Sequence, residues 1–386
     1  MTLRILTIGH SYVIGMNRAV IREVARDPAF DVTLAAPNFF HGDLRPVSLE
    51  PEPDHSPLRI VGLDTFWSRF VHIFRYQGRA LNRLVRAGGF DVVHAWEEPY
   101  IFSGYQIARA VAPTSSRFCF RTAQNYRKRY PPPFQLFERH TLARAQGWIA
   151  SGSLVDQAMR ERGYPVERGR LIPLGVDLQA FQPLDPSLRA RMLRSLGLSP
   201  PVLGFLGRLT PAKGLDVLMQ ALDLLPPSRP WSLLVLGSGP EEARVRRWAA
   251  QRGWSSRVRI KLVQHQEVPR FLGTMDLLLA PSQTVRNWRE QFGRMLIEAF
   301  ASGVPVIGSD SGEIPYVVGD AGRIVPEADA AAWARAIEEW LDDPATRKDM
   351  ARRGLDRVQR FSVPAVAQQY RDYFRWLVEQ PWSKSA

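Results

Sequence analysis

Seven residues separate Glu290 from Glu298 in Glu-Gln-Phe-Gly-Arg-Met-Leu-Ile-Glu, which continues as Ala-Phe-Ala-Ser-Gly-Val-Pro-Val-Ile-Gly308. Gly293 allows a sharp backbone turn, Met295 to Ser302 has helix-forming composition, and Gly303 supplies a C-terminal cap before a buried strand from Val304 to Gly308. Glu298 therefore falls in the first turns of a helix, and Glu290 in the loop that feeds it. A helix N-terminus exposes unpaired N–H groups and the positive end of the dipole, a setting that suits a phosphate. Carboxylates beside a phosphate site suggest hydroxyl-rich neighbours. The plain alternative is a pair of solvated surface glutamates, because Glu is seldom buried.

The cationic counterpart is Gly204-Phe-Leu-Gly-Arg-Leu-Thr-Pro-Ala-Lys-Gly214, read as a strand ending at Gly207, a loop carrying Arg208 and Lys213, and a helix opening at Gly214. Two such cations can neutralise a diphosphate, arginine as a fork and lysine as a point charge.

Earlier in the chain, Gly9-His-Ser-Tyr-Val-Ile-Gly-Met-Asn17 reads as a strand-to-helix loop with the helix beginning near Gly15, and His10 stands at the strand's carboxyl end. Asp91-Val-Val-His-Ala-Trp-Glu-Glu-Pro99 is a strand with a polar tip; His94 reads as structural, and Glu97 or Glu98 can bind hydroxyls. The next tip, Arg121-Thr-Ala-Gln-Asn-Tyr-Arg-Lys-Arg-Tyr130, offers the amides of Gln124 and Asn125, which can hold hydroxyls or a phosphate. Between Phe66 and Phe90, Arg69, Arg75, Arg79, Arg83 and Arg86 alternate with Phe70, Val71, Phe74, Leu81, Leu84 and Val85, and no acidic residue falls between Asp64 and Asp91. That stretch reads either as a basic amphipathic helix lying on an anionic membrane or as a surface helix packed on its own sheet.

Short apolar runs separated by helical segments must position these groups. They are Ile5 to Gly9, Phe30 to Pro37, Asp91 to Trp96, Arg117 to Thr122, Trp148 to Ser151 and Leu171 to Val176. A second series follows: Pro201 to Gly207, Trp231 to Gly237, Val258 to Val263, Asp276 to Pro281, Val304 to Gly308 and Arg323 to Val325. Buried strands alternating with helices make parallel sheets covered on both faces, and two doubly wound α/β domains fit better than one oversized sheet. The expected bounds are 1–177 for the first domain, 178–362 for the second, and 363–386 for a closing segment whose helix runs from Val363 to Glu379. In an open α/β sheet, ligands bind beyond the carboxyl ends of the strands.

The chain has 386 residues, 45% hydrophobic and 23% charged, enough for two cores. It contains no apolar run long enough to span a bilayer, and the amino end reads as a strand rather than a signal peptide. A single cysteine, Cys119, excludes an internal disulfide or a Cys-based metal cluster, so a cytoplasmic location is the default. Net charge of +13 invites polyanions, but the arginines are dispersed and no nucleic-acid recognition motif is present.

The Glu-x7-Glu spacing with Ala-x-Ala-x-Gly-x-Pro-Val, and Gly-Arg-Leu-x3-Lys-Gly at 207–214, resemble the retaining glycosyltransferases of family four, also called glycosyl transferases group 1, which have the GT-B fold. The resemblance implies two Rossmann-like domains facing across a cleft, with the last helix crossing back to the first. It implies hexosyl transfer from a nucleotide diphosphate sugar to a hydroxyl of a glycan, lipid-linked or small-molecule acceptor. Glu290, Arg208 and Lys213 are then the catalytic set. Glu298, Phe292, Gly293, Gly207 and Gly15 line the donor, and Gln124, Asn125, Glu97 and His10 the acceptor side. The segment from Val263 to Val268 corresponds to the one whose backbone reads the nucleobase. No metal and no cofactor beyond the donor is implied. Peripheral attachment to the inner membrane face through Phe66–Phe90 is the alternative to a purely cytoplasmic protein. Departures from the family pattern are Leu174, Trp96, Gln124 and Asn125, where relatives carry other residues. A nucleotide-sugar epimerase on the same scaffold is the alternative activity.

Overall fold

Runs such as Leu233-Leu-Val-Leu236 are apolar at every position, which a strand sustains only when both of its faces are covered. The computed structural model describes residues 2–42 and 46–381 and shows that arrangement twice. One unit comprises Met1–Gly175 with Val363–Ala386, the other Val176–Ser362. Residues 382–386 of the expected closing segment lie outside the described residues.

The first unit holds β1 (Leu3–Ile8), β2 (Phe30–Pro37), β3 (Arg59–Leu63), β4 (Val92–Ala95), β5 (Arg117–Thr122), β6 (Gly147–Ala150) and β7 (Gly169–Leu171). They form one parallel sheet in the order β7-β6-β5-β4-β1-β2-β3. The second unit holds β8 (Val202–Leu206), β9 (Ser232–Leu236), β10 (Val258–Lys261), β11 (Leu277–Ala280), β12 (Val306–Ser309) and β13 (Gly322–Val325), in the order β10-β9-β8-β11-β12-β13. In each sheet the order reverses once, between β1 and β4 and between β8 and β11. The helices leave to opposite faces there, and the strand ends open a crevice.

Three local readings change. Arg59–Leu63 is an edge strand that the apolar pattern did not reveal, because only Leu63 in it is fully buried. The stretch after Gly15 is not yet an α-helix: two 3-10 turns, His10–Val13 and Gly15–Arg18, precede helix Ala19–Ala25. The buried Arg18 explains this, since its guanidinium donates to the carbonyls of Tyr12 (2.7 Å), Val13 (3.2 Å) and Glu50 (2.8 Å) and pins those turns. Phe66–Phe90 is not one helix either. Thr65–Phe66 pairs with Arg75–Tyr76 as a short antiparallel ribbon, and only Gly78–Ala87 is helical.

Helix Val363–Glu379 belongs to the first unit. Its buried residues Val366, Tyr370, Tyr373, Phe374 and Leu377 follow helical spacing and join Ile5, Val92, Cys119 and Ile149 in one apolar cluster. Tyr373 also donates its hydroxyl proton to the Arg168 carbonyl at 2.9 Å. At the other boundary, the Val176 N–H donates to the Phe361 carbonyl at 2.9 Å, so both ends of the second unit are tied to each other. Among the described residues, no helix is long and apolar enough to cross a membrane.

Candidate functional site

At the reversal point of the second sheet, the loop after β8 meets the loop after β11. The Lys213 ammonium lies 2.6 Å from Glu290 Oε2, and the same oxygen accepts the Ser282 hydroxyl at 2.8 Å. Two glycines make this approach possible. Gly214 has φ of +75°, and a Cβ there would sit 1.8 Å from the Pro281 carbonyl oxygen. Gly293, at φ of +80°, turns the chain from the Glu290 loop into helix Arg294–Ala301. The Glu313 N–H fixes the Glu290 carbonyl at 3.0 Å. The Trp288 ring lies 4.8 Å beneath the Lys213 ammonium, which adds a cation–π contact. Arg208 is exposed at the end of β8.

Glu298, in the second turn of that helix, is buried, and its Oε1 has no hydrogen-bond partner among the described residues. Burial pushes its carboxyl up to about 7, against the opposing pull of Arg294. The imidazole of His265 has its Nε2 at 3.8 Å. Burial, and then Arg294, push that ring down to about 4, so the two do not form an ion pair near neutral pH. A buried carboxylate oxygen left without a donor is an acceptor for a ligand's hydroxyl.

In the first unit, the reversal between β1 and β4 brings together the groups that follow them. Glu97 accepts the His10 backbone N–H at 2.8 Å and the Tyr76 hydroxyl at 2.7 Å on Oε1, and its Oε2 lies 2.7 Å from His10 Nδ1. A carboxylate only accepts, which assigns a proton to Nδ1. The ring is braced by Phe40 and Phe74, with centroids at 5.0 and 5.3 Å. Glu97 thus holds His10 and Tyr76 together. Glu98 is likewise engaged, by the Thr122 hydroxyl at 2.6 Å and the Ala123 N–H at 2.8 Å. Gln124 and Asn125 are both buried at the β5 tip, with Gln124 Nε2 donating to the Tyr126 carbonyl at 3.2 Å. His94 is fully buried against the Thr7 hydroxyl at 2.9 Å, and burial pushes it down to about 3. It is a neutral structural group.

Residues 194–357 match the family model described as Glycosyl transferases group 1, and residues 18–180 match the one described as Glycosyltransferase Family 4. The chain belongs to the group 1 glycosyltransferases. Its curated relatives include a D-inositol 3-phosphate glycosyltransferase of Jonesia denitrificans, 34% identical over 212 residues that make up 51% of this chain and 48% of that protein. Another is a GDP-mannose-dependent monoacylated alpha-(1-6)-phosphatidylinositol monomannoside mannosyltransferase of Corynebacterium glutamicum, 32% identical over 49% of this chain and 51% of that protein. The matched part of the chain thus spans about half the length of these relatives. Among solved structures, a glycosyltransferase from Rickettsia africae aligns with a TM-score of 0.78 at 18% identity, covering 98% of this chain and 100% of that one. The HepE protein of Anabaena in complex with UDP aligns at 0.75 and 18%, covering 97% and 100%. At these identities the likeness establishes the GT-B fold of two Rossmann-like units.

In this group 1 glycosyltransferase, two expected donor-lining residues do other work. Phe292 is buried, with its ring centroid 5.9 Å from that of Phe361, and packs the Glu290 loop onto the second unit. The Gly15 N–H is taken by Glu50 Oε2 at 2.6 Å. Gly207 ends β8, with its N–H on the Leu236 carbonyl at 3.0 Å. Ser282, Trp288 and Tyr76 join these sites without being singled out by the sequence, as does the side chain of His265, whose segment was named only for its backbone. Ser282 follows Pro281 at the tip of a correctly placed strand, which is the available signal; the other three reach their partners only through tertiary contacts. Among the described residues, no group of three or more His, Cys, Asp and Glu side chains gathers to hold a metal ion.

Proposed function

We propose that the protein is a retaining hexosyltransferase that moves a sugar from a nucleoside diphosphate to an acceptor hydroxyl. The observation that carries this reading is the juxtaposition of Lys213, Ser282 and Glu290 at the reversal point of the second sheet, with the unpartnered Glu298 oxygen one helix turn beyond. The named relatives support it, since they include an inositol phosphate glycosyltransferase and a GDP-mannose-dependent enzyme, and HepE is also known as a complex with UDP-glucose.

The bond between the anomeric carbon and the diphosphate oxygen breaks, and its electron pair leaves with the diphosphate. Arg208, Lys213 and the N-terminus of helix Arg294–Ala301 meet that developing charge without a metal ion. Glu290 orients hydroxyls of the sugar, and Glu298 accepts from the ribose. The acceptor oxygen bonds to the same face of the anomeric carbon, and the departing phosphate takes its proton. His10, fixed by Glu97, aligns the acceptor hydroxyl, with Gln124 and Asn125 at the neighbouring strand tip. The acceptor is a glycan, a small polyol or a lipid-linked hydroxyl presented at a membrane surface. No relative named above is an epimerase, and incubation with donor alone, which would yield an isomerised sugar, tests that alternative directly.

Thermal shift against a panel of nucleoside diphosphates and their sugars identifies the donor. Turnover of that donor in Glu290→Ala, Arg208→Ala and Lys213→Ala tests the assignment; near-wild-type rates in all three overturn it. Product anomers resolved by NMR separate retention from inversion.

A further inference from the structure

We infer that Trp288 is a positioning residue for Lys213: its indole face holds the ammonium toward the diphosphate of the donor and keeps water off it. The inference rests on the function proposed above, in which Lys213 meets the diphosphate and Glu290 the sugar. Lys213 Nζ stands 4.8 Å from the centroid of the Trp288 ring and 2.6 Å from Glu290 Oε2, and only 13% of the lysine side chain is exposed, so these two groups and not solvent are its main surroundings. An ammonium has three N–H donors and no acceptor. Glu290 takes one of them, and the ring face covers a second direction by cation–π attraction. What remains is directed to a ligand oxygen.

The place of the ring is fixed by the backbone around it. Val285 and Trp288 pair as a tight hairpin, with N–H to carbonyl distances of 2.8 and 3.2 Å, and Arg286 and Asn287 are exposed at its turn. Its stem is tied to the Lys213 loop itself. The Gln283 N–H donates to the Ala212 carbonyl at 2.8 Å, and Gln283 Nε2 donates at 2.7 Å to the Pro281 carbonyl, the one that Gly214 approaches closely. On the far side, the Thr284 N–H is accepted by the Glu327 carboxylate, and the Thr284 hydroxyl lies 3.1 Å from that of Ser311. Ring and ammonium are therefore set by one network of contacts and move together.

A tryptophan placed for stability alone buries its ring among apolar neighbours and donates its indole N–H. Trp288 is half-buried; among the described residues no other aromatic ring stacks on it and its N–H has no partner. The cation is the charged group on its face. In a site shielded from water, a cation acts on an anionic partner far more strongly than it does in solvent. Glu290 holds the sugar in the proposed function, and the phosphate bonded to that sugar is the β-phosphate. Lys213, 2.6 Å from the Glu290 carboxylate, therefore meets the β-phosphate, and the indole strengthens its grip there by displacing water. The pair thus reads a diphosphate in preference to a monophosphate.

The test is calorimetric titration of the full chain with UDP, GDP and ADP and with the three corresponding monophosphates. For the diphosphate that binds, Trp288→Leu should weaken affinity by about tenfold, as for the loss of a desolvated cation–π contact, and Trp288→Phe, which keeps an aromatic face, by only about threefold. Monophosphate affinity and the thermal midpoint should stay at the wild-type value in both. In a Lys213→Met background, Trp288→Leu should have no further effect on diphosphate affinity, because the ring acts through the ammonium. The inference is overturned if Trp288→Leu binds the diphosphate as the wild type does, if it loses monophosphate and diphosphate alike, if the phenylalanine variant loses as much as the leucine one, or if the loss persists in the Lys213→Met background. A wild type that does not prefer diphosphates, or one whose preference survives Lys213→Met, overturns the proposed function and this inference with it.

Discussion

Lys213 Nζ and Ser282 Oγ converge on a single oxygen of Glu290, at 2.6 and 2.8 Å. The carboxylate proposed to hold the sugar and the cation proposed to meet the phosphate are thereby held by each other, and both are largely buried. Removing one partner leaves the other desolvated. A double-mutant cycle of Lys213→Met and Glu290→Gln should show a coupling of about 0.5–3 kcal/mol in urea unfolding. Additive effects would mean that the contact contributes nothing to the fold.

Arg208 differs because it is exposed. Its loss should therefore leave stability unmoved. Arg208→Ala is expected to lower kcat about 100- to 1000-fold with an unchanged thermal midpoint, since under the proposed function it removes a cation that stabilises charge developing in the transition state. A reduced midpoint accompanied by normal kcat would assign it a structural role instead.

Glu298 gives a pH signature. Its carboxyl titrates at about 7 in the folded protein against an ordinary 4.5, because burial disfavours the charge. The unfolded chain ionises first, so the folded state loses stability as pH rises from about 4.5 to about 7, by at most about 3 kcal/mol. Glu298→Gln should flatten that part of the stability profile and weaken donor affinity. If urea midpoints measured from pH 4.5 to 8 show the same slope in both proteins, the carboxyl is not the group responsible.

Glu97→Gln tests the first unit. The glutamine keeps the size of the side chain but no longer enforces the Nδ1–H tautomer of His10, so kcat should fall about 10- to 100-fold, as when a partner that orients a functional imidazole is lost. Donor KM should change little, because the donor groups lie in the other unit. Tyr76→Phe, which removes one of three contacts to the same carboxylate, should fall between the variant and the wild type. A loss confined to donor KM would contradict the assignment.

Much of this architecture is legible in the residues themselves. The buried strands announce themselves because parallel strands are apolar on both faces, and Phe30–Pro37, Arg117–Thr122 and the helix Val363–Glu379 fall where the pattern places them. Arg59–Leu63 escapes because an edge strand is covered less completely. The single-helix reading of Phe66–Phe90 fails because alternating arginine and aromatic residues mimic amphipathic periodicity, while the ribbon Thr65–Phe66 with Arg75–Tyr76 takes its hydrogen bonds across the chain instead of along it.

Sequence alone determined which residue types stand at the strand tips, because turn glycines and the strand period are local properties. Gly293 was readable as a turn and Gly214 as a helix start, with Lys213, Glu290 and Glu298 as their charged neighbours. Tertiary structure alone decided what each charge does. Glu97 and Glu98 are consecutive, yet one orients a histidine and the other caps the β5 tip. Glu290 and Glu298 share a motif, yet one is bound to an ammonium and the other is buried with an oxygen unsatisfied. Burial and pairing depend on neighbours far away in the chain, and those settings fix whether a carboxylate is a clamp, a brace or a waiting acceptor.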